Sequence, residues 1–409
     1  MRGTQHRSSG SRLAAVAGIV IIGLVATMGP ASAAKKKLPG ERVECGQTID
    51  HSLRVLNNIS GCDDGLVIGA PNITLDLNGH RVSGTGDTDE YGIDNSAGHD
   101  GVKIKNGTVT GFDIGLYLLG ADGNKVAGVV STRNNDGIVL EGTTMSVLKK
   151  NTLADNDFTG INLFNASDNT AVKNASIDNG SDGVLLIGSD RNTFKKNTVD
   201  GSGDEGFDLN DADDNVLVSN RVTASVGRGI QLEVSLRNKL MTNSVRAGRL
   251  NGVVLDLGSN ENSLVENSVT GNAFNGILVD TSTANALTEN GISANGGSGI
   301  FLSNAVDTSV KKNKSSNNSA SGIEVIDGSG NSLVKNVTGN NGENGITSNT
   351  DTVTITKNRA NGNGFLNDNS ANGDDVGLGI FSDPATPGSE NTAEGNDDPD
   401  ECEPQPLCV

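Results

Sequence analysis

Apolar residues recur along this chain in a four-residue figure, Gly-apolar-x-apolar, that returns about every 23 residues. Its opening glycines are Gly92, Gly115, Gly137, Gly160, Gly183, Gly206, Gly229, Gly252, Gly276, Gly299, Gly322 and Gly345, spaced by 22 to 24 residues. A fixed period of this kind marks stacked repeats, each burying its apolar side chains against its neighbours. Inside one unit the alternation predicts a first short strand with residues such as Ile161 and Leu163 inward. A second strand is expected between asparagines five apart, as in Asn169/Asn174, Asn192/Asn197 and Asn215/Asn220, and a third around Val199, Val222 and Val245. The strands are short and separated by Asn, Gly, Asp and Ser, which leaves no length for a helix. Asparagine and glycine tolerate positive φ and are expected at the bends. Stacked asparagines can also hydrogen-bond from one coil to the next.

The period overlaps that of leucine-rich repeats, but their Leu-x-x-Leu-x-Leu-x-x-Asn figure and helix-forming residues are missing, as is the Gly-Gly-x-Gly-x-Asp of nonapeptide rolls. The expectation is an all-β parallel β-helix of about 13–15 coils, each with three short strands. At about 4.8 Å per coil the rod is on the order of 60–70 Å long. The boundaries read as a leader at 1–33, an N-terminal cap at 34–64, the β-helix at 65–396 and a tail at 397–409. Polar loops are expected at 85–90 and 363–375.

The leader has Arg2, Arg7 and Arg12, an apolar stretch over 13–28 and the small residues Ala31-Ser32-Ala33, the pattern of a cleaved export signal. A secreted protein, extracellular or cell-wall associated, acting as a monomer and not inserted in a membrane, is therefore expected. Removing the leader's three arginines takes the formal charge from −19 to −22, a surface that repels nucleic acid. Cys45 and Cys62 lie near one end, Cys402 and Cys408 near the other, so a local disulfide is expected at each end.

Particular stretches carry a family resemblance. They are Cys45-Gly46, Cys62 followed by Gly65-Leu66-Val67-Ile68-Gly69-Ala70, Asn72-Ile73-Thr74-Leu75-Asp76-Leu77-Asn78-Gly79-His80, the repeated Asn-x-apolar-x-x-Asn units and the Cys402/Cys408 tail. In these the chain resembles the secreted right-handed parallel β-helix repeat family, which shares the fold of pectate lyases, polygalacturonases and alginate epimerases. The resemblance covers nearly all of the chain after the leader and implies an acidic extracellular polysaccharide as partner.

Residues two and four places after each glycine are expected to face outward. Read up the stack, they give an acidic stripe of Asp208, Asn210, Glu233, Asp256 and Asp280, and an apolar patch of Tyr117, Leu119, Phe164, Leu185 and Ile187. Carboxylates about 5 Å apart raise one another's pKa. Such a stripe suits general acid/base work by Asp208, Glu233 and Asp256, or Ca²⁺ held by Asp208, Asn210, Glu233, Asp256 and Asp280. Asn210, Gln231, Arg228, Tyr117 and Phe164 are the candidate substrate-binding residues. Asp204, Glu205, Asp211, Asp213 and Asp214 crowd the same coil, with Arg228 expected beside Glu205 and Arg237 beside Asp214. Outward acids also serve simply to keep a sheet soluble. Neither the polygalacturonase set nor the Asp-Pro-His-Asp run of alginate epimerases occurs. Two functions follow: a protein that binds or presents a surface to polysaccharide, or a lyase, C5-epimerase or hydrolase of uronic-acid glycans.

Overall fold

A computed structural model describes residues 37–364, 379–382, 388–396, 402–403 and 407–408. The expected leader at 1–33, most of the loop at 363–375 and part of the tail at 397–409 lie outside the described residues. Leu38–Val409 is one compact unit. Its described residues contain no α-helix; short strands pair in parallel, each with the strand about one period away, into one sheet of 16 strands and another of 29. The larger sheet takes two strands from a coil because Lys103–Thr110 and Lys125–Thr132 run through the corner between its two faces. No described helix is long and apolar enough to cross a membrane.

The register follows the sequence period. Phe207–Asn210 pairs with Val184–Ile187 on one side and Ile230–Glu233 on the other, so Leu186, Leu209 and Leu232 form one file. All three are fully buried. Each such leucine contributes roughly 1.5–3 kcal/mol relative to exposure. Gly206 stands at the corner entering this strand. A Cβ there would run into the Cγ1 of Val222 and lie 2.5 Å from the Gly229 carbonyl oxygen, so the coil spacing itself requires glycine.

Asparagines such as Asn165, Asn304 and Asn317, and glycines such as Gly188 and Gly201, take the positive-φ bends as expected, but the asparagines of the five-apart pairs do not. Positive φ falls on the preceding residue: Lys196 (56°), Ser219 (55°) and Thr242 (53°) stand immediately before Asn197, Asn220 and Asn243. The left-handed residue turns its own side chain outward, and the asparagine behind it points in. Asn220 Nδ2 donates to Phe194 O (2.9 Å) and Asn243 Oδ1 (3.1 Å), while its Oδ1 accepts from the N–H of Asn197 (2.9 Å). The ladder satisfies buried backbone groups that the sharp turns cannot pair.

Disulfides join Cys45 to Cys62 and Cys402 to Cys408. The segment expected as a cap already carries a rung, since Gln47–Ile49 pairs with Leu66–Ile68.

Candidate functional site

The outer face of the 16-stranded sheet carries two columns of side chains. One runs Tyr117, Val139, Asn162, Leu185, Asp208, Gln231, Val254, the other Glu141, Phe164, Ile187, Asn210, Glu233, Asp256. Asp208 is thus level with Gln231, and Glu233 with Asn210 and Asp256; Asp208 and Glu233 are diagonal neighbours on adjacent coils. The turn leading into each strand adds a third column. Asp182 lies below Glu205, and its Oδ1 accepts from the Glu205 N–H at 3.1 Å. Arg228 follows one coil on: its Nη1 donates to Glu205 Oε1 (3.1 Å) and to Gln231 Oε1 (2.7 Å). Gln231 Nε2 in turn donates to Glu233 Oε2 at 3.2 Å. A chain of contacts therefore runs Glu205, Arg228, Gln231, Glu233.

Glycine makes the room. A Cβ on Gly227 would come within 2.6 Å of Asp204 Oδ1 and 2.9 Å of Glu205 Oε1. With that side chain absent, Asp182, Asp204 and Glu205 bring carboxylate oxygens within 4.8 Å of one another. Asp182 and Glu205 are buried, Asp204 exposed. Arg228 is the guanidinium bonded to this group, so negative charge exceeds positive.

Burial and this crowding hold protons on the carboxyls. Asp208 is pushed up to about 7, first by burial and then by the charges of Asp182, Glu205, Glu233 and Asp204. Glu205 rises to about 7 through burial and a hydrogen bond with Asp204, against the opposing pull of Arg228. Burial takes Asp182 to about 6, and Asp256 is raised by burial despite Arg228. Asp208 Oδ1 and Asp256 Oδ1 are buried without a hydrogen-bond partner. A half-buried carboxyl near neutrality with a free oxygen can accept or release a proton.

The structure thus brings Asp208, Gln231, Arg228 and Glu233 together, with Asn210 and Asp256 beside Glu233. Asp280 stands one coil further, paired with Ser303. The crowded acids of this coil separate into two groups. Asp213 and Asp214 follow the strand and are bound to Arg237 at 2.9 and 3.0 Å, a ladder of ion pairs. Asp204 and Glu205 precede it and join the site. Asp182 was missed from the sequence, although it stands one period of 23 residues before Glu205. The tight three-carboxylate group comes from that column and not from the outward stripe. It offers hard oxygen ligands of the kind Ca²⁺ takes, but Arg228 already compensates Glu205.

Below the acids lies the apolar patch. Phe164 and Ile187 are level with one another and 40% and 36% exposed. Tyr117 packs its ring 5.0 Å from that of Tyr91 and donates its hydroxyl to Glu141 at 2.6 Å. Val139, Gln231 and Val254, expected to face solvent, are buried. Gln231 is covered through its bonds to Arg228 and Glu233, and Val254 lies between Gln231 and Leu278 in its column.

Stacked parallel rungs of this kind, and two family matches, define a right-handed parallel β-helix protein. Residues 72–247 match the family described as periplasmic copper-binding protein (NosD), and residues 243–398 the family described as right handed beta helix region. Among solved structures, the chain is similar to the A-module of the mannuronan C-5 epimerase AlgE4 of Azotobacter vinelandii. Identity there is 12%, covering 85% of this chain and 91% of that one, with a TM-score of 0.50. The periplasmic alginate epimerase AlgG is 12% identical over 85% of this chain and 77% of its own, with a TM-score of 0.45. Pectate lyase Pel9A is 15% identical over 56% and 71%, with a TM-score of 0.39. At these identities the likeness is one of fold. No curated protein matches the sequence.

Proposed function

We propose that this chain is exported and acts on a uronic-acid polysaccharide at the face around Asp208 and Arg228, transferring a proton at C5 of the sugar. Lyases and C5-epimerases share that step. The observation that carries the reading is the Asp208 carboxyl, raised to about 7 with an unpartnered buried oxygen, level with the Gln231 to which the Arg228 guanidinium donates. A uronate carboxylate seated on Arg228 has its charge neutralised, which acidifies the C5 proton. Asp208, as carboxylate, takes that proton. Glu205, as carboxylic acid, is poised to protonate the departing glycosidic oxygen in a lyase reaction, whereas inversion at C5 needs a proton delivered from the opposite face of the sugar. Gln231 fixes Arg228, and Glu233 fixes Gln231. Phe164 and Ile187 offer apolar surface to neighbouring sugar rings. The shared fold of a mannuronan C-5 epimerase supports the class. The Asp-Pro-His-Asp run of alginate epimerases does not occur in this chain, so the proposed chemistry rests on Asp208, Glu205 and Arg228.

Copper, in the description of one matching family, is bound by thiolate, thioether or imidazole donors. Here all four cysteines are in disulfides, and among the described residues the group close enough to hold a metal, Asp182, Asp204 and Glu205, offers carboxylates alone. The carboxylate site fits protons and a guanidinium better. The test is incubation of polymannuronate and polygalacturonate with the protein in D₂O. Deuterium at C5 or unsaturated chain ends are expected, with a loss of at least about 100-fold in Asp208→Asn. Undiminished turnover by that variant would remove Asp208 from the chemistry. The exposed Phe164–Ile187 strip favours a second reading, a surface that binds the same glycan without reaction; binding with no exchange on any glycan would select it.

A further inference from the structure

Beside the ladders through Asn192, Asn215 and Asn238 and through Asn197, Asn220 and Asn243, a third asparagine ladder runs beneath the turns that carry the acids, and it is broken there. Asn134 bonds to Asn156 and Asn156 to Asn179, with N–H to Oδ1 distances of 3.1 Å at both steps. It resumes where Gly248 N–H donates to Asn272 Oδ1 at 3.0 Å and continues through Asn295, Asn318 and Asn341. Between these stretches the equivalent positions, one period apart, are Ser202, Ser225 and Gly248. Ser202 and Ser225 are each 1% exposed, and neither Oγ has a hydrogen-bond partner. The N–H groups of Asn179, Ser202 and Ser225, which the missing amides would have capped, find no acceptor among the described residues. By the offset at which Asn179 Nδ2 donates to Leu153 O and Asn295 Nδ2 to Val269 O, the carbonyls of Ser176, Val199 and Val222 lose a donor too.

We infer that the gap is an internal hydration site: a file of water molecules stands where the carboxamides are absent. Each water accepts from one orphaned N–H and donates to the carbonyl beside it; at the first two positions it also bonds a serine Oγ. Two or three polar partners are what a buried water needs, and a missing carboxamide frees about one water's volume. Left dry, each group would carry the full penalty of an unpaired buried donor or acceptor, a cost native proteins rarely leave standing. The position matters because Ser202 and Ser225 lead directly into Asp204, Glu205 and Arg228. The turns bearing the charged groups are therefore held by water, while those above and below are tied by amides. This inference stands independently of the polysaccharide reading.

The test is amide exchange of the full chain, read by residue, in the natural protein and in Ser202→Asn and Ser225→Asn. The natural protein is expected to exchange Asn179, Ser202 and Ser225 at least about tenfold faster than Asn156 and Gly248, whose N–H groups are amide-capped. Ser202→Asn should slow Asn179 to the rate of Asn156, and Ser225→Asn should do the same for Ser202. Equal protection of all these amides in the natural protein would overturn the inference. Should the asparagines fail to fit, water-to-amide magnetisation transfer on the natural protein decides: cross-peaks from long-lived water to the three amides support the file, and their absence refutes it.

Discussion

The charge state of a single carboxyl sets what the candidate site can do. Asp208 and Glu205 near 7 and Asp182 near 6 bind protons more tightly folded than unfolded, where each would titrate near its ordinary value. Stability therefore falls as pH rises from about 4 to about 7 and levels off above, the reverse of an ion-paired carboxylate. Melting measured from pH 5 to pH 8 should show a drop of several °C. Asp208→Asn, which is neutral throughout, should flatten a large part of it; an unchanged slope would mean that Asp208 is charged at pH 5. Asp208 itself was legible in the sequence, because the period makes residues 23 apart neighbours. Its perturbation was only half legible. The stripe suggested repulsion from Glu233, whereas the larger causes are burial and the turn residues Asp182 and Glu205, which the outward-facing pattern does not include.

The coil is held by contacts that repeat from one turn to the next. Asn220→Ala should strand the Asn197 N–H and the Phe194 carbonyl, at roughly 1–3 kcal/mol for each unpaired group. A clear loss in urea midpoint is the expected readout. Removing the exposed Lys312–Glu289 pair (2.8 Å) should leave that midpoint almost unmoved, because water and salt screen it. Comparable losses would mean that the ladder is not the main tie. Gly206→Ala should be worse than either, because its Cβ has backbone and Val222 in its way and neither can yield; soluble expression with a wild-type melting point would contradict the packing. Strands, register and ladder follow from the sequence because apolar alternation and the asparagine spacing share one period. The bends followed only in part: Asn165, Asn304, Asn317 and many glycines take positive φ as expected. Positive φ also sits on Lys196, Ser219 and Thr242, because the asparagine that follows each must keep its amide pointing inward for the ladder.

Across the described coils the stack is nearly uniform, and the proposed site lies where that uniformity lapses. In the coils from Asp182 to Glu233 the ladder through Asn179 and Asn272 loses its amides, Gly227 opens space and carboxyls gather around one guanidinium. A chain of net charge −19 would repel a uronate polymer over most of its surface, so the proposed engagement is expected to be local and salt-dependent. The most direct measurement is hydrogen exchange of the full chain with and without oligouronates. Protection is predicted in peptides spanning 182–187, 204–210 and 227–233, and it should disappear in Arg228→Ala. Protection confined to other coils, or none at saturating glycan, would contradict a polysaccharide site on this face.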